Sequence, residues 1–222
     1  MVEPLNYRSV FDIIGPVMVG PSSSHTAGAA RIGKVIRKIF GEQPETVDIY
    51  LYESFAKTYR GHGTGIALVA GLLEMEPDDP QLRNSLKIAY EKGMEVLFSP
   101  KSDKVDHPNT VRMKLKKGDH ELSVTGVSIG GGNIKISEIN GFSMSISLGV
   151  PTFIIVQQDV PGVIAQVSQV LSEAEINIAV MTVTRESKGE KAIMVIEVDE
   201  RNDDILAKIQ AMDHIYSASY FE

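Results

Sequence analysis

Between residues 151 and 222 the hydrophobic period alternates between strand and helix spacing, in an order that few folds accommodate. Phe153 to Val156 is an apolar run of the kind found in a buried strand. Val163, Ile164, Val167, Val170 and Leu171 then keep helical spacing, with Asp159 placed to cap that helix and Pro161 in its first turn. Asn177–Arg185 and Lys191–Val198 read as strands joined by a turn at Ser187–Gly189. Asn202 or Asp203 caps a second helix carrying Ile205, Leu206, Ile209 and Met212, and Ile215–Phe221 is a last strand. The order βαββαβ predicts a ferredoxin-like sandwich, with both helices on one face of an antiparallel sheet. Gly149 and Pro151 mark a short linker, so residues 151–222 form one domain and residues 1–148 another. A chain of 222 residues has room for two modest domains.

The first domain mixes both periods, which makes the whole chain α+β with an N-terminal mixed α/β unit. Ser9–Val19 reads as a short helix and an extended entry to a loop. From Thr26, Ile32, Val35, Ile36 and Ile39 recur at helical spacing, while Arg31, Lys34 and Lys38 share a face that reads as solvated surface. Gly41 stops this helix. Thr46–Tyr52 alternates as a half-buried strand, an apolar helix runs from Ile66 to Met75, and another from Gln81 to Lys92 closes at Gly93. Past Glu95 the pattern is of strands: Val111, Met113 and Leu115, a Lys117–Asp119 turn, then Leu122 and Val124, with a phase shift at Gly126 that predicts a bulge. Asn140-Gly141 between alternating segments predicts a tight hairpin.

Two loops in this domain carry candidate chemistry. GPSSSHTAGAA (20–30) brings Ser22, Ser23, Ser24, His25 and Thr26 to a helix start. GHGTG (61–65) brings His62, Gly63 and Thr64 to another. Glycines allow close backbone approach, and the free N–H groups of a helix start attract a carboxylate or phosphate. An imidazole near its ordinary pKa suits proton transfer at neutral pH. Singly, each histidine reads equally as a capping loop residue, and the serines as cap and turn residues. Together they suggest one site for a small acidic metabolite. His107-Pro108-Asn109 precedes the strands, and Gly130, Gly131 and Gly132 form either a turn or part of that site. His120 and His214 read as surface residues.

Composition removes several classes. No Gly-Lys-Ser/Thr occurs, so neither loop is a nucleotide phosphate loop. A net charge of −7 argues against nucleic acid and anionic membranes as partners. No apolar run approaches the roughly 20 residues of a membrane span, and no secretory signal is visible, which makes the cytoplasm the expected location. There is no cysteine, so this chain alone holds no disulfide, thiolate zinc site or iron–sulfur cluster. The histidine spacing gives little support for a metal site of its own.

GPSSSHTAGAARIGK, GHGTG, HPNT and SIGGG resemble the β chain of bacterial iron–sulfur-dependent L-serine dehydratase in its two-subunit form. Residues 151–222, with DVPGV and INIAV, resemble an ACT domain. The first domain is also similar to an anion-binding domain of some phosphoglycerate dehydrogenases. The resemblance implies β-elimination of L-serine to pyruvate and ammonia, without pyridoxal phosphate. It implies a [4Fe–4S] cluster ligated by cysteines of a separate α subunit, with no metal ligand in this chain and no activity without that subunit. It assigns His62 as proton acceptor at Cα and His25 as an orienting or relaying group. Ser22, Ser23, Ser24, Thr26, Gly63, Thr64, Asn109, Gly130, Gly131 and Gly132 would bind or line the substrate.

For the second domain the resemblance implies self-association and an effector site at Asp159, Gly162 and Asn177. Asp159 stands where some serine-binding relatives have asparagine, and its carboxylate would repel that of serine; a purely dimerising domain is the alternative. For the whole chain the competing reading is a non-catalytic, amino-acid-sensing ACT protein with an anion-binding domain.

Overall fold

The computed structural model of the chain describes residues 17–147, 150–200 and 202–221, and these form two compact units. In the first, Ser23–Ala27 make one π-helical turn that runs into α1 (Gly28–Phe40). There follow β1 (Thr46–Tyr52), α2 (Glu53–Thr58), α3 (Thr64–Leu72), a 3-10 turn at Pro80–Asn84 and α4 (Ser85–Glu91). β2 (Glu95–Lys101), β3 (Thr110–Lys117), β4 (His120–Gly130), β5 (Asn133–Ile139) and β6 (Phe142–Ser147) follow, with Lys38–Gly41, Gly141–Ser143 and Ser147 falling to the second unit. The strands form one sheet in the order β2-β1-β3-β4-β5-β6, with β1 parallel to β2 and antiparallel to β3.

The alternation of β1 explains its burial: Val47, Ile49 and Leu51 are shut off from solvent, while Asp48, Tyr50 and Tyr52 are half-buried. Ile32, Val35, Ile36 and Ile39 of α1 are likewise buried. α3 is buried almost all round, as expected of a helix that is apolar on every side. α1 and α3 meet backbone to backbone. A Cβ on Gly33 would collide with the Leu68 carbonyl oxygen, and one on Gly71 with the Ala30 carbonyl oxygen. Two glycines therefore let the helices approach more closely than any side chain permits. Because α1 begins just after His25 and α3 just after His62, this contact fixes the spacing of the two histidine loops.

Several expectations need correction. The first helix begins at Ser23, not Thr26, because Ser22 caps it and the chain enters through a π turn. α2 was not expected; it is short, and it starts at Glu53 with a φ of +40°. The segment read as a helix from Gln81 opens as a 3-10 turn capped by Asp79. The basic face of α1 is not simply solvated: Lys34 pairs with Glu76, Arg37 with Glu74, and Arg31 donates to the Gly132 carbonyl at 2.8 Å. Residues 9–16 of the first expected helix lie outside the described residues, as does Gly149 of the linker. The bulge at Gly126 is present in the β4–β5 pairing, and Asn140 and Gly141 both have the positive φ of a type I′ turn.

The second unit holds β7 (Thr152–Gln158), α5 (Val163–Glu173), β8 (Ile178–Arg185), β9 (Lys191–Val198), α6 (Asp203–Gln210) and β10 (Ile215–Phe221). Its sheet order, β10-β7-β9-β8 with every pairing antiparallel, is the ferredoxin-like arrangement. Phe153, Ile155, Met194 and Ile196 from the sheet pack with Val167 and Leu171 of α5 and Ile205 and Ile209 of α6. Asn202 caps α6. Asp159 does not cap α5. Gly162 takes the cap position in a left-handed conformation, so Pro161 lies before the helix.

Candidate active site

The serine-rich loop is held by its own hydrogen bonds. Ser22 Oγ accepts the His25 backbone N–H at 3.2 Å, and the Ser22 carbonyl accepts the Thr26 N–H at 2.8 Å. The His25 ring then stands between two hydroxyls: Ser22 Oγ is 3.3 Å from Nδ1 and Ser54 Oγ is 2.9 Å from Nε2. Two further rings pack against it at steep angles. Phe55 lies at 5.3 Å between centroids and His62 at 5.4 Å, the two histidines almost perpendicular at 84°. The two loops picked out in the sequence are thus one cluster.

His62 reaches the cluster because its backbone N–H closes onto the Thr58 carbonyl at the end of α2, and Gly63 turns the chain left-handed into α3. Its ring is exposed, and among the described residues no hydrogen bond fixes it. His25 differs: burial, reinforced by the neighbouring His62, holds its pKa below the ordinary 6.5. The pair therefore has unlike members, one neutral and held at both nitrogens, the other open to solvent.

The HPNT loop joins the same neighbourhood through backbone contacts. The Pro108 carbonyl accepts the Ser54 N–H at 2.9 Å. Asn109 exchanges bonds with Ser128, accepting its N–H at 3.0 Å and approaching its carbonyl at 3.4 Å through Nδ2. Ser128 abuts α1 at Gly28, where a Cβ would strike its hydroxyl. The Asn109 N–H donates to His107 Nδ1 at 3.2 Å, and burial lowers the pKa of His107 as well. Gly130, Gly131 and Gly132 form the β4–β5 turn, all with positive φ, and Arg31 ties that turn to α1. The Thr26 and Thr64 hydroxyls are sealed from solvent without a hydrogen-bond partner among the described residues, whereas Ser22, Ser23 and Ser24 are half-buried.

Sequence reasoning missed Ser54, Phe55, His107 and Arg31. His107 and Arg31 stand inside quoted motifs, so the signal was present. Ser54 and Phe55 follow a strand with no composition cue at all.

In the second unit, the Asp159 carboxylate accepts from Arg185 Nη1 at 3.3 Å and from the Gly189 N–H at 3.2 Å. A Cβ at Gly162 would have Gln166 Nε2 as its neighbour, at 4.0 Å. Asn177 donates to Asp199 at 2.7 Å. β7 and β8 both run antiparallel to β9, so Asp159, after β7, and Asn177, before β8, lie at opposite ends of the sheet. A single domain does not bring them together. His214 is exposed, and half-buried His120 lies 3.4 Å from Glu42.

The two depressed histidines make a prediction about stability. Between their folded pKa values and 6.5 the unfolded chain binds more protons than the folded one, so stability rises with pH through that window. The contribution is complete above pH 6.5 and is lost as pH falls through the lower folded values. Thermal melts should show a level midpoint above about pH 7 and a decline as the pH drops through the range where histidine titrates. A midpoint constant down to the carboxylate range would contradict the assignment.

A family model described as serine dehydratase beta chain matches residues 9–85, and one described as ACT domain matches residues 152–211. A probable L-serine dehydratase β chain from Bacillus subtilis (strain 168) is 46% identical, over 95% of this chain and 96% of its own length. An L-serine dehydratase β chain from Peptoniphilus asaccharolyticus is 35% identical, over 96% and 98%. A D-3-phosphoglycerate dehydrogenase from Bacillus subtilis (strain 168) is 29% identical over 81% of this chain, which matches 34% of that protein. No helix among the described residues is long and apolar enough to cross a membrane. With nearly full-length likeness to two of its members, the chain belongs to the L-serine dehydratase β-chain family and carries an ACT domain.

Proposed function

We propose that the chain supplies the proton-transfer and substrate-orienting half of an L-serine dehydratase. In the overall reaction L-serine loses its Cα proton and its β-hydroxyl, as water, to give an enamine. That species tautomerises to an imine, and water hydrolyses it to pyruvate and ammonium. The observation that carries the reading is the His25–His62 pair, with one ring anchored between serines and the other open.

His62 is the base. It has an exposed ring with no hydrogen bond among the described residues, so a nitrogen is available to take the Cα proton. His25, engaged at both nitrogens and kept neutral by burial, is the orienting partner. Because it carries no charge, it does not oppose the positive charge that arrives on His62 with the proton. The half-buried hydroxyls of Ser22, Ser23 and Ser24, with the N–H groups at the start of the π turn, suit the substrate's carboxylate and amine. The buried Thr26 and Thr64 hydroxyls leave that contact to the serines and to the loop backbone, including Gly63. Asn109 and the Gly130–Gly132 turn shape the surroundings through Ser128 and Arg31.

The site's donors are hydroxyls and imidazoles, and the chain has no thiolate to offer a [4Fe–4S] cluster. Cysteines of an α chain would hold it, and when bound it supplies Lewis-acid assistance to loss of the β-hydroxide. The test is anaerobic reconstitution of this chain with a cysteine-containing α chain, with pyruvate measured from L-serine. Neither chain alone should turn over. Pyruvate from the α chain alone, or a tight colourless serine-binding homodimer that recruits no α chain, would overturn the reading.

A further inference from the structure

The His25 ring is bracketed by two serines, and the bond Ser22 already accepts selects which nitrogen carries the proton. A neutral imidazole has one N–H donor and one bare nitrogen. Ser22 Oγ already accepts the His25 backbone N–H, and it has one hydrogen of its own to give. Giving that hydrogen to Nδ1 at 3.3 Å satisfies both groups. The ring hydrogen then sits on Nε2 and is donated to Ser54 Oγ at 2.9 Å. Either tautomer leaves one serine hydrogen, that of Ser54 or that of Ser22, without an acceptor among the described residues. The opposite tautomer differs in making Ser22 Oγ accept two N–H groups of the same residue, and that double acceptance selects Nε2–H.

Ser54 is itself held firmly. Its N–H donates to Pro108, its carbonyl accepts from Thr58 Oγ1 at 2.7 Å, and the residue before it, Glu53, has a φ of +40°. A non-glycine residue keeps such a conformation only where its surroundings over-determine it. The turn from β1 into α2 thus spends local strain next to the one residue of α2 that touches His25 through a hydrogen bond.

We infer that Ser54 is a positioning residue, whose hydroxyl holds His25 in the Nε2–H tautomer and, through the near-perpendicular ring contact, sets the orientation of His62. The activity part of this inference rests on the dehydratase reading; the tautomer part does not. Support residues around a working histidine act in this way, by fixing its tautomer and ring plane.

The experiment uses the full chain labelled with 15N, with the ring-nitrogen shifts of His25 read at neutral pH. Wild type should show Nε2 protonated and Nδ1 bare. Ser54→Ala should give an average of the two tautomers, and Ser54→Thr, which retains the hydroxyl, should keep the single form. In the complex with an α chain, Ser54→Ala should lower kcat by about 10- to 100-fold with little change in KM, and Ser54→Thr should recover most of it. A wild-type His25 protonated on Nδ1 overturns the inference, and that measurement decides it even if Ser54→Ala fails to fold. A single Nε2–H tautomer persisting in a folded Ser54→Ala chain also overturns it. Correct tautomers in wild type and both variants, in a complex that makes no pyruvate, support the tautomer part and remove the dehydratase reading instead.

Discussion

Replacing His62 with alanine should lower kcat for pyruvate formation by about 1,000-fold in the reconstituted complex, within the range that a general base contributes. KM should change little, because the serine-rich loop and its helix start, rather than His62, are assigned the substrate's polar end. Stability should be almost unaffected: the His62 ring is exposed and holds nothing in place through hydrogen bonds among the described residues. The substitution also has an internal control. The pKa of His25 is held down first by burial and second by His62. Without His62 the second cause disappears, so His25 should titrate at higher pH than in wild type while staying below 6.5, because burial remains. An NMR titration of His25 in His62→Ala reads this directly. A variant that makes pyruvate at nearly the wild-type rate would take His62 out of the chemistry. A variant with an unshifted His25 would mean that the two rings do not interact as the structure has them.

What the sequence could disclose follows the range of the interactions involved. The ends of β1, the Asn140-Gly141 hairpin and the βαββαβ order of the second unit depend on period and turn chemistry, which are local, and the structure has them as expected. The start of the first helix was misplaced by three residues, because the serines that cap it look like loop residues until their hydrogen bonds are known. α2 is six residues long with no capping side chain, and it begins in a backbone conformation that no propensity favours at a glutamate. Ser54 was invisible for that reason, and its partner lies 29 residues away. Asp159 was misread as a cap because an aspartate before a proline suits one. Its carboxylate instead joins the β8–β9 turn, a contact made across the sheet rather than along the chain. Arg31 was read as surface because it shares a face with lysines; its tie to Gly132 spans 101 residues.

The pairing of His25 with His62 depends on a core contact remote from either ring, so a methyl group at Gly71 should damage both stability and activity. A Cβ there would strike the Ala30 carbonyl oxygen and lie 2.6 Å from the Lys34 nitrogen. Both are helix backbone, so no side-chain rotation can relieve the clash, and α1 and α3 must move apart. Helix propensity alone would favour Gly71→Ala by about 1 kcal/mol. Overpacking against rigid atoms costs up to about 3 kcal/mol or more, so the penalty wins. Net loss of about 2 kcal/mol corresponds to a fall of roughly 4–8 °C in the melting midpoint of the first unit. Gly61→Ala is the matched control: a Cβ at Gly61 meets nothing within 4 Å and its φ is ordinary, so its melt should match wild type. The consequence for catalysis is geometric. α1 and α3 carry the His25 and His62 loops at their N-termini, so parting the helices pulls the two rings from their 5.4 Å contact. A displacement of about 1 Å in reacting groups can cost on the order of 100-fold in rate. Gly71→Ala should therefore lower kcat at temperatures well below its melt, with His25 titrating closer to 6.5 as its neighbour recedes. Loss of stability with kcat and the His25 titration unchanged would show that the glycine contact serves the fold alone.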